Sequence, residues 1–443
     1  MPKSPRQAIR LFSQIRADLT SRFLFKDTNV TADAPREVAS ATATPPTKEA
    51  NCQPLEEQLQ IPVRTDSPEG DLRQSLQNQG QFLARQERWG ELSETLLQAD
   101  SAQNQWPGSA NRAEDLAFGA RADVVFAVEH ALNEQSQAEN EFPENKVLTS
   151  GVMALEALRK EHADDPYLTA VIALAHIDIA WLWRSSMGAV QASEGALRRA
   201  AAHFDRASTL LLPLQEKQKN SPFLSAAICA LYAGRSSDTM QVADAYAELI
   251  DLSPFNYRHM RALGLQMLPR ANGSYAALEL EARRTAARTQ EHWGAGGYTW
   301  TYFDAIAADE QACARVDPQY FLDGIEDILC TDPSQEMINL LTAYCTVTLQ
   351  AGLGQSAPAD KTRLEIAKTA RWLARNHLHE LHPLIWAHAA KGFDNNARVS
   401  SLSRFAAHGK AQGLETLASI FREEIASGHR ISFSEKGFDL MSV

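Results

Sequence analysis

Residues 221–254 read SPFLSAAICALYAGRSSDTMQVADAYAELIDLSP, and this stretch decides the fold. Phe223, Ala226, Ala227, Ala230 and Leu231 recur at helical spacing before Gly234-Arg235-Ser236-Ser237 interrupts them. Val242, Ala245, Tyr246, Leu249 and Ile250 resume the pattern on a second segment. Spacings of i, i+3, i+4, i+7 and i+8 place each set on one helix face, so the stretch is read as a hairpin of two helices with apolar stripes. Ser221 and Pro222 supply the start signal. A serine at the N-cap accepts an orphan backbone N–H, and proline at the first helical position sacrifices no hydrogen bond.

The same signal recurs at Asp165-Pro166-Tyr167, Ser253-Pro254-Phe255 and Asp317-Pro318-Gln319-Tyr320, with a looser copy at Asp332-Pro333. Pro222 and Pro254 are 32 residues apart, and Pro318 lies twice that distance beyond Pro254. Each site is expected to open a helix, and the recurrence predicts stacked hairpins. From Asp71 onwards helical periodicity is almost uninterrupted. The first pair is expected at 72–86 and 89–98 around a turn at Glu87 and Arg88. Long helices are expected at about 112–137, 146–163, 166–187 and 191–217. After the central hairpin, helices are expected at about 300–314, 318–330, 333–351, 360–379, 383–391, 396–410 and 413–427, then a short tail. Gly352, Gly354, Pro358, Pro383, Gly392 and Gly413 act as stops and starts. Period-2 alternation is not evident, so the expected fold is all-α.

The 221–254 hairpin resembles a tetratricopeptide repeat. With Pro254 as the closing proline, Tyr246 falls where that family places an aromatic in its second helix. Ala230 then falls on the small residue that lets the two helices approach, and Leu252-Ser253-Pro254-Phe255-Asn256 resembles the exit linker. The first helix lacks the family's tryptophan, and Leu249 stands where a small residue is usual. The resemblance implies stacked antiparallel helical hairpins, a tetratricopeptide-like α-solenoid over residues 71–443, in which neighbours supply each other's missing core faces. Leu268-Pro269-Arg270-Ala271-Asn272-Gly273-Ser274 and the charged helix after it are similar to a bacterial family of uncharacterised domains, across roughly residues 250–310. That likeness implies helices and brings no chemistry.

Two segments precede the helical body. Residues 1–26 place Ala8, Phe12, Ile15, Leu19 and Phe23 on one stripe, flanked by Lys3, Arg6, Arg10, Arg16, Arg22 and Lys26. This basic amphipathic segment is read either as a membrane-surface or partner-docking helix, or as a helix or tail lying on its own body. Arginines interrupt every apolar run, so it is not read as a secretory signal. Residues 27–70 contain six prolines and no aromatic, the composition of a flexible linker.

The net charge is −12, and the first 26 residues carry +5, which leaves −17 on the remainder. Such a body repels phosphate backbones, which argues against nucleic acid as a partner. Cys52, Cys229, Cys313, Cys330 and Cys345 form no C-x-x-C pair, and their odd number suits a reducing, cytoplasmic setting. Leu168–Trp183 is apolar but short and contains His176 and Asp178, so it is read as a buried core helix. Those two residues point to different helix faces, so each is expected to find its partner on another helix.

Candidate sites are few. His292-Trp293-Gly294-Ala295-Gly296-Gly297-Tyr298-Thr299-Trp300 combines three glycines with three aromatics and a histidine. It is read either as a binding loop or as a tight corner whose rings plug the core. Arg270, Asn272, His292, Trp293, Tyr298 and Trp300 are the candidate binding residues. His377, His379 and His382 are expected on a solvated face above Leu378, Leu381, Leu384 and Ile385. His379-Glu380-Leu381-His382 is one residue short of H-E-x-x-H, so no metal site is expected there. No nucleophile motif, cofactor motif or phosphate loop is recognised. The expected function is a non-catalytic scaffold or adaptor for a protein or peptide. The alternative is a small-ligand sensor or enzyme built on the loop at 292–300.

Overall fold

Capping chemistry sets where the helices begin, in a computed structural model that describes residues 54–65, 68–101, 111–137, 146–185, 194–215, 220–391 and 402–442. The expected helix at 1–26 and the linker up to residue 53 lie outside these residues. The chain opens with a single turn α1 (Leu55–Gln58) and a short strand β1 (Leu59–Gln60). Then come α2 (Pro68–Arg85), α3 (Trp89–Ser101), α4 (Arg112–Gln137), α5 (Lys146–Glu161), α6 (Pro166–Ser185) and α7 (Glu194–Leu211). The central hairpin is α8 (Pro222–Tyr232) and α9 (Thr239–Leu252), followed by α10 (Tyr257–Gln266), α11 (Tyr275–Arg288), α12 (Gln290–Trp293) and α13 (Gly296–Ala308). The remainder is α14 (Glu310–Arg315), α15 (Pro318–Thr331), α16 (Gln335–Ala343), α17 (Ala357–Ala367), α18 (Thr369–Asn376), α19 (Pro383–Lys391), α20 (Leu402–Ile420) and α21 (Arg422–Ala426). A hairpin of β2 (His429–Ser434) and β3 (Gly437–Ser442) ends it.

The Asp165, Ser221 and Asp317 side chains accept from the first-turn amides of Leu168, Leu224 and Tyr320 at 3.0, 3.0 and 3.2 Å, so α6, α8 and α15 start as expected. Two proline sites differ. Pro254 lies in the turn after α9, and α10 begins at Tyr257 with Asn256 as its cap. Pro333 likewise precedes Ser334, which caps α16. A better capping side chain downstream takes the start in both cases, so the 32-residue spacing is not a common helix register.

The described chain is mostly helical, and its core is continuous. α2 packs on α4, α4 on α6, and α6 on both α7 and α8. Further on, α13 packs against α10, α11 and α15, α14 against α17, α16 against α19, and α19 against α20. In the central hairpin Phe223, Ala227, Leu231, Val242, Tyr246, Leu249 and Ile250 are buried, as the stripes require. α6 is long and apolar enough to cross a bilayer, but most of Leu168 to Trp183 is packed inside the protein.

Several expected segments change shape. The helix expected at 300–314 breaks at Asp309, whose carboxylate caps Gln311 and Ala312. Gly413 does not stop a helix. It lies inside α20, where a Cβ would come within 2.7 Å of the Leu381 side chain, so its role is close packing. The largest correction concerns sheet. β1 pairs in parallel with β2, and β2 pairs antiparallel with β3, in registers that match Leu59 with Ile431 and Phe433 with Phe438. Residues 54–65, expected to be flexible linker, and the expected tail beyond 427 therefore meet in one small sheet. Ile431 and Phe433 are buried and their neighbours are not, the alternation of a half-buried strand.

Candidate functional site

The Gly-aromatic stretch is the corner between α12 and α13. Gly294 has φ +53°, and a Cβ there would lie 2.2 Å from Asp327 Oδ2. That oxygen accepts from the Ala295 N–H at 2.7 Å, so a carboxylate on α15 holds the start of α13. Trp293, Tyr298 and Trp300 are each 0% exposed. The Trp293 indole donates to the Pro254 carbonyl at 2.8 Å. The Tyr298 hydroxyl donates to Glu279 at 3.0 Å and accepts from the Asp317 N–H at 3.0 Å. His292 is half-buried, its ring 4.5 Å from that of Phe255. The rings are walls of the core.

Asn272 is a latch between two turns. Its Oδ1 accepts from the Ser237 N–H at 2.9 Å, its carbonyl from the Thr239 hydroxyl, and its Nδ2 donates to Gln266 Oε1 at 2.8 Å. Arg270 is exposed beside this latch. The structure therefore does not bring the six candidates together on one open surface.

It assembles a different group next to Trp300. The Trp300 ring stacks under Tyr257 at 4.1 Å and 14°. Next to Tyr257, Arg258 Nη2 donates to Glu69 Oε1 at 3.2 Å, and Arg73 Nη2 donates to the same oxygen at 2.7 Å. Arg73 Nε also lies 3.8 Å from Asp115, which accepts from Gln77 Nε2 at 3.0 Å. One turn on, Arg261 grips Asp304 through two bonds of 2.9 and 2.7 Å and sits over the Phe303 ring. Burial raises the Tyr257 phenol above its usual range. Burial, then the neighbouring Arg258 charge, lowers Arg73. Burial, then Arg258, pushes His259 down to about 3, so that imidazole is neutral at ordinary pH.

Two guanidiniums thus share one oxygen of Glu69, so their charge is compensated within the protein by a carboxylate that matches the planar fork. The buried thiols and His259 are moved away from neutrality rather than towards it. Burial pushes the Cys345 thiol up to about 12 and Cys313 to about 11. Sequence reasoning missed this site because Glu69, Arg73, Asp115 and Arg258 come from α2, α4 and α10. The available signal was modest: Tyr257 and Arg258 directly follow the cap at Asn256.

The histidine readings resolve separately. His176 meets His203 on α7, Nδ1 to Nδ1 at 2.8 Å, and Glu156 on α5 at 3.1 Å. Asp178 accepts from Arg121 on α4 at 2.7 Å, so both partners come from other helices as expected. His382 departs from the expected wet face. It is buried, with Nε2 3.1 Å from Glu380 Oε1 and its N–H on Asn339 Oδ1. Leu384 and Ile385 are only half-buried, while Leu378 and Leu381 are buried as expected. Among the described residues no group of three His, Cys, Asp or Glu is placed to hold a metal ion.

Compared with protein-family models, curated proteins and solved structures, the chain matches none significantly.

Proposed function

We propose that this chain is a non-catalytic adaptor, a stack of helical hairpins of tetratricopeptide-like kind that holds a protein or peptide partner. The observation that carries the reading is the Arg73–Arg258–Glu69 convergence beside Tyr257, an ion-pair cluster built by two helices, α2 and α10, whose arginines would exchange Glu69 for an acidic group of the partner. Helix starts that lie side by side support the stacked arrangement: the Tyr167 and Phe223 rings, each following a proline start, stack at 6.0 Å and 4°. The rival reading needs Trp293, Tyr298 and Trp300 to reach a ligand, and all three are enclosed by protein. Buried thiols at Cys229, Cys313 and Cys345 suit a reducing, cytoplasmic setting. A basic amphipathic segment at 1–26 adds peripheral membrane contact as an accessory role.

The test is affinity capture with the full chain against Arg258→Glu and Arg73→Glu variants whose circular dichroism matches the parent. The adaptor reading expects one polypeptide partner to be enriched by the parent and lost with both variants. Equal recovery by all three, or no enrichment by any, contradicts it.

A further inference from the structure

Residues 54–65 lie on the C-terminal elements in the way a bound peptide lies on a receptor. β1 adds to the edge of β2 in parallel, with Leu59 beside Ile431 and Gln60 beside Ser432. Two further main-chain bonds follow: the Leu381 N–H donates to the Pro62 carbonyl at 2.8 Å, and the Arg64 N–H donates to the Leu381 carbonyl at 2.9 Å. Leu59 is 2% exposed, and Leu55 and Ile61 pack partly against the same core. The ends are clamped by charge, Glu56 to Lys410 at 2.6 Å and Arg64 to Glu380 at 3.3 Å. Proline at 62 fits because that position contributes a carbonyl to the ladder and no N–H.

We propose that the β2 edge and the Leu381 backbone form a strand-acceptor site for extended peptides of the pattern Leu-x-Ile-Pro-x-Arg, with residues 54–65 as its resident, displaceable occupant. Main-chain pairing supplies the affinity and the Leu59 position the selectivity, as in other strand-addition sites. One fully buried side chain and a short ladder give a weak intrinsic affinity. Attachment to α2 offsets that by holding the segment at an effective concentration on the order of millimolar. The inference rests on the adaptor reading only in taking the partner to be a polypeptide. It uses none of the residues of the Arg73–Arg258 cluster, so capture results there leave it standing or falling independently.

The experiment uses the full chain carrying Leu59→Asp and hydrogen exchange read over residues 378–386 and 429–434. Exchange of the Leu381 amide is expected to rise at least about tenfold while α10 to α15 stay as in the parent. A synthetic peptide of residues 54–65, added at about millimolar concentration, is expected to restore protection. The same peptide with Leu59→Asp is expected not to. Unchanged exchange at Leu381 overturns the proposal, as does loss of protection throughout the chain, which makes the segment part of the core rather than its ligand. Failure of the peptide to restore protection overturns it too.

Discussion

Removing the Asp100 carboxylate tests how the helices are joined. Asp100, near the end of α3, is buried and accepts from the Phe223 N–H at 2.8 Å, Asn111 Nδ2 at 3.2 Å, the Tyr167 hydroxyl at 3.1 Å and the Ser221 hydroxyl at 2.5 Å. It therefore ties the starts of α4, α6 and α8 to one point. In Asp100→Ala the two hydroxyls can turn to other acceptors. The Phe223 N–H and the Asn111 amide are fixed and buried, and each stranded donor costs about 1–3 kcal/mol. A loss of about 3–5 kcal/mol is expected, with the cavity adding to the two stranded donors. Asp100→Asn keeps the shape and one acceptor for Phe223, so about 1–2 kcal/mol is expected. Urea unfolding followed by far-ultraviolet circular dichroism reads both as a lower midpoint at unchanged slope. An Asp100→Ala chain within about 0.5 kcal/mol of the parent would refute the reasoning, since that is the range of surface changes.

Other outcomes follow from the same packing. Burial, then the neighbouring His176 charge, pushes His203 down to about 4 against an ordinary 6.5, so the unfolded chain binds more protons between those values. The contribution is full above about pH 6.5 and is lost as pH falls towards 4, at most about 3 kcal/mol. Melting curves taken down this window should fall less steeply for His203→Gln, and parallel curves would count against the buried pair. A Cβ on Gly264 would lie 1.7 Å from the Thr301 carbonyl, so Gly264→Ala should push α10 from α13 and cost at least about 1–3 kcal/mol in a thermal melt. Trp293→Phe removes the bond to the Pro254 carbonyl and should cost about 1 kcal/mol while partner capture is unchanged. Loss of capture in a folded Trp293→Phe chain would favour the loop as a binding site.

The helical character was legible because local chemistry determines it. Asp165, Ser221 and Asp317 are short acceptors followed by proline, and no tertiary context was needed to place α6, α8 and α15. The turn expected at Glu87 and Arg88 is present, but Glu87 holds φ +54°, a conformation its own side chain does not favour. What escaped was pairing across long separations. Arg430-Ile431-Ser432-Phe433-Ser434 carries a strand alternation only five residues long, and its partner Leu59 sits in a stretch whose prolines and lack of aromatics read as linker. The candidate loop misled for a related reason: glycines and aromatics together suit a binding loop and a buried corner equally. Only the surroundings of Trp293, Tyr298 and Trp300 distinguish the two. Glu69 and Arg73 are an i, i+4 pair that spacing alone suggests, but nothing announces that Arg258 joins them, because α2 must first be seated against α10.

That seating is measurable. Glu69 and Arg258 are 189 residues apart, and their contact ties α2 to α10 at the proposed site. A double-mutant cycle with Glu69→Gln and Arg258→Met, read by urea midpoints, isolates the pair. Glu69 is partly exposed and shared with Arg73, so a favourable coupling of about 0.5–1 kcal/mol is expected. Two losses that simply add would mean that the arginines do not converge on Glu69 in solution, and the proposed binding face would have no basis.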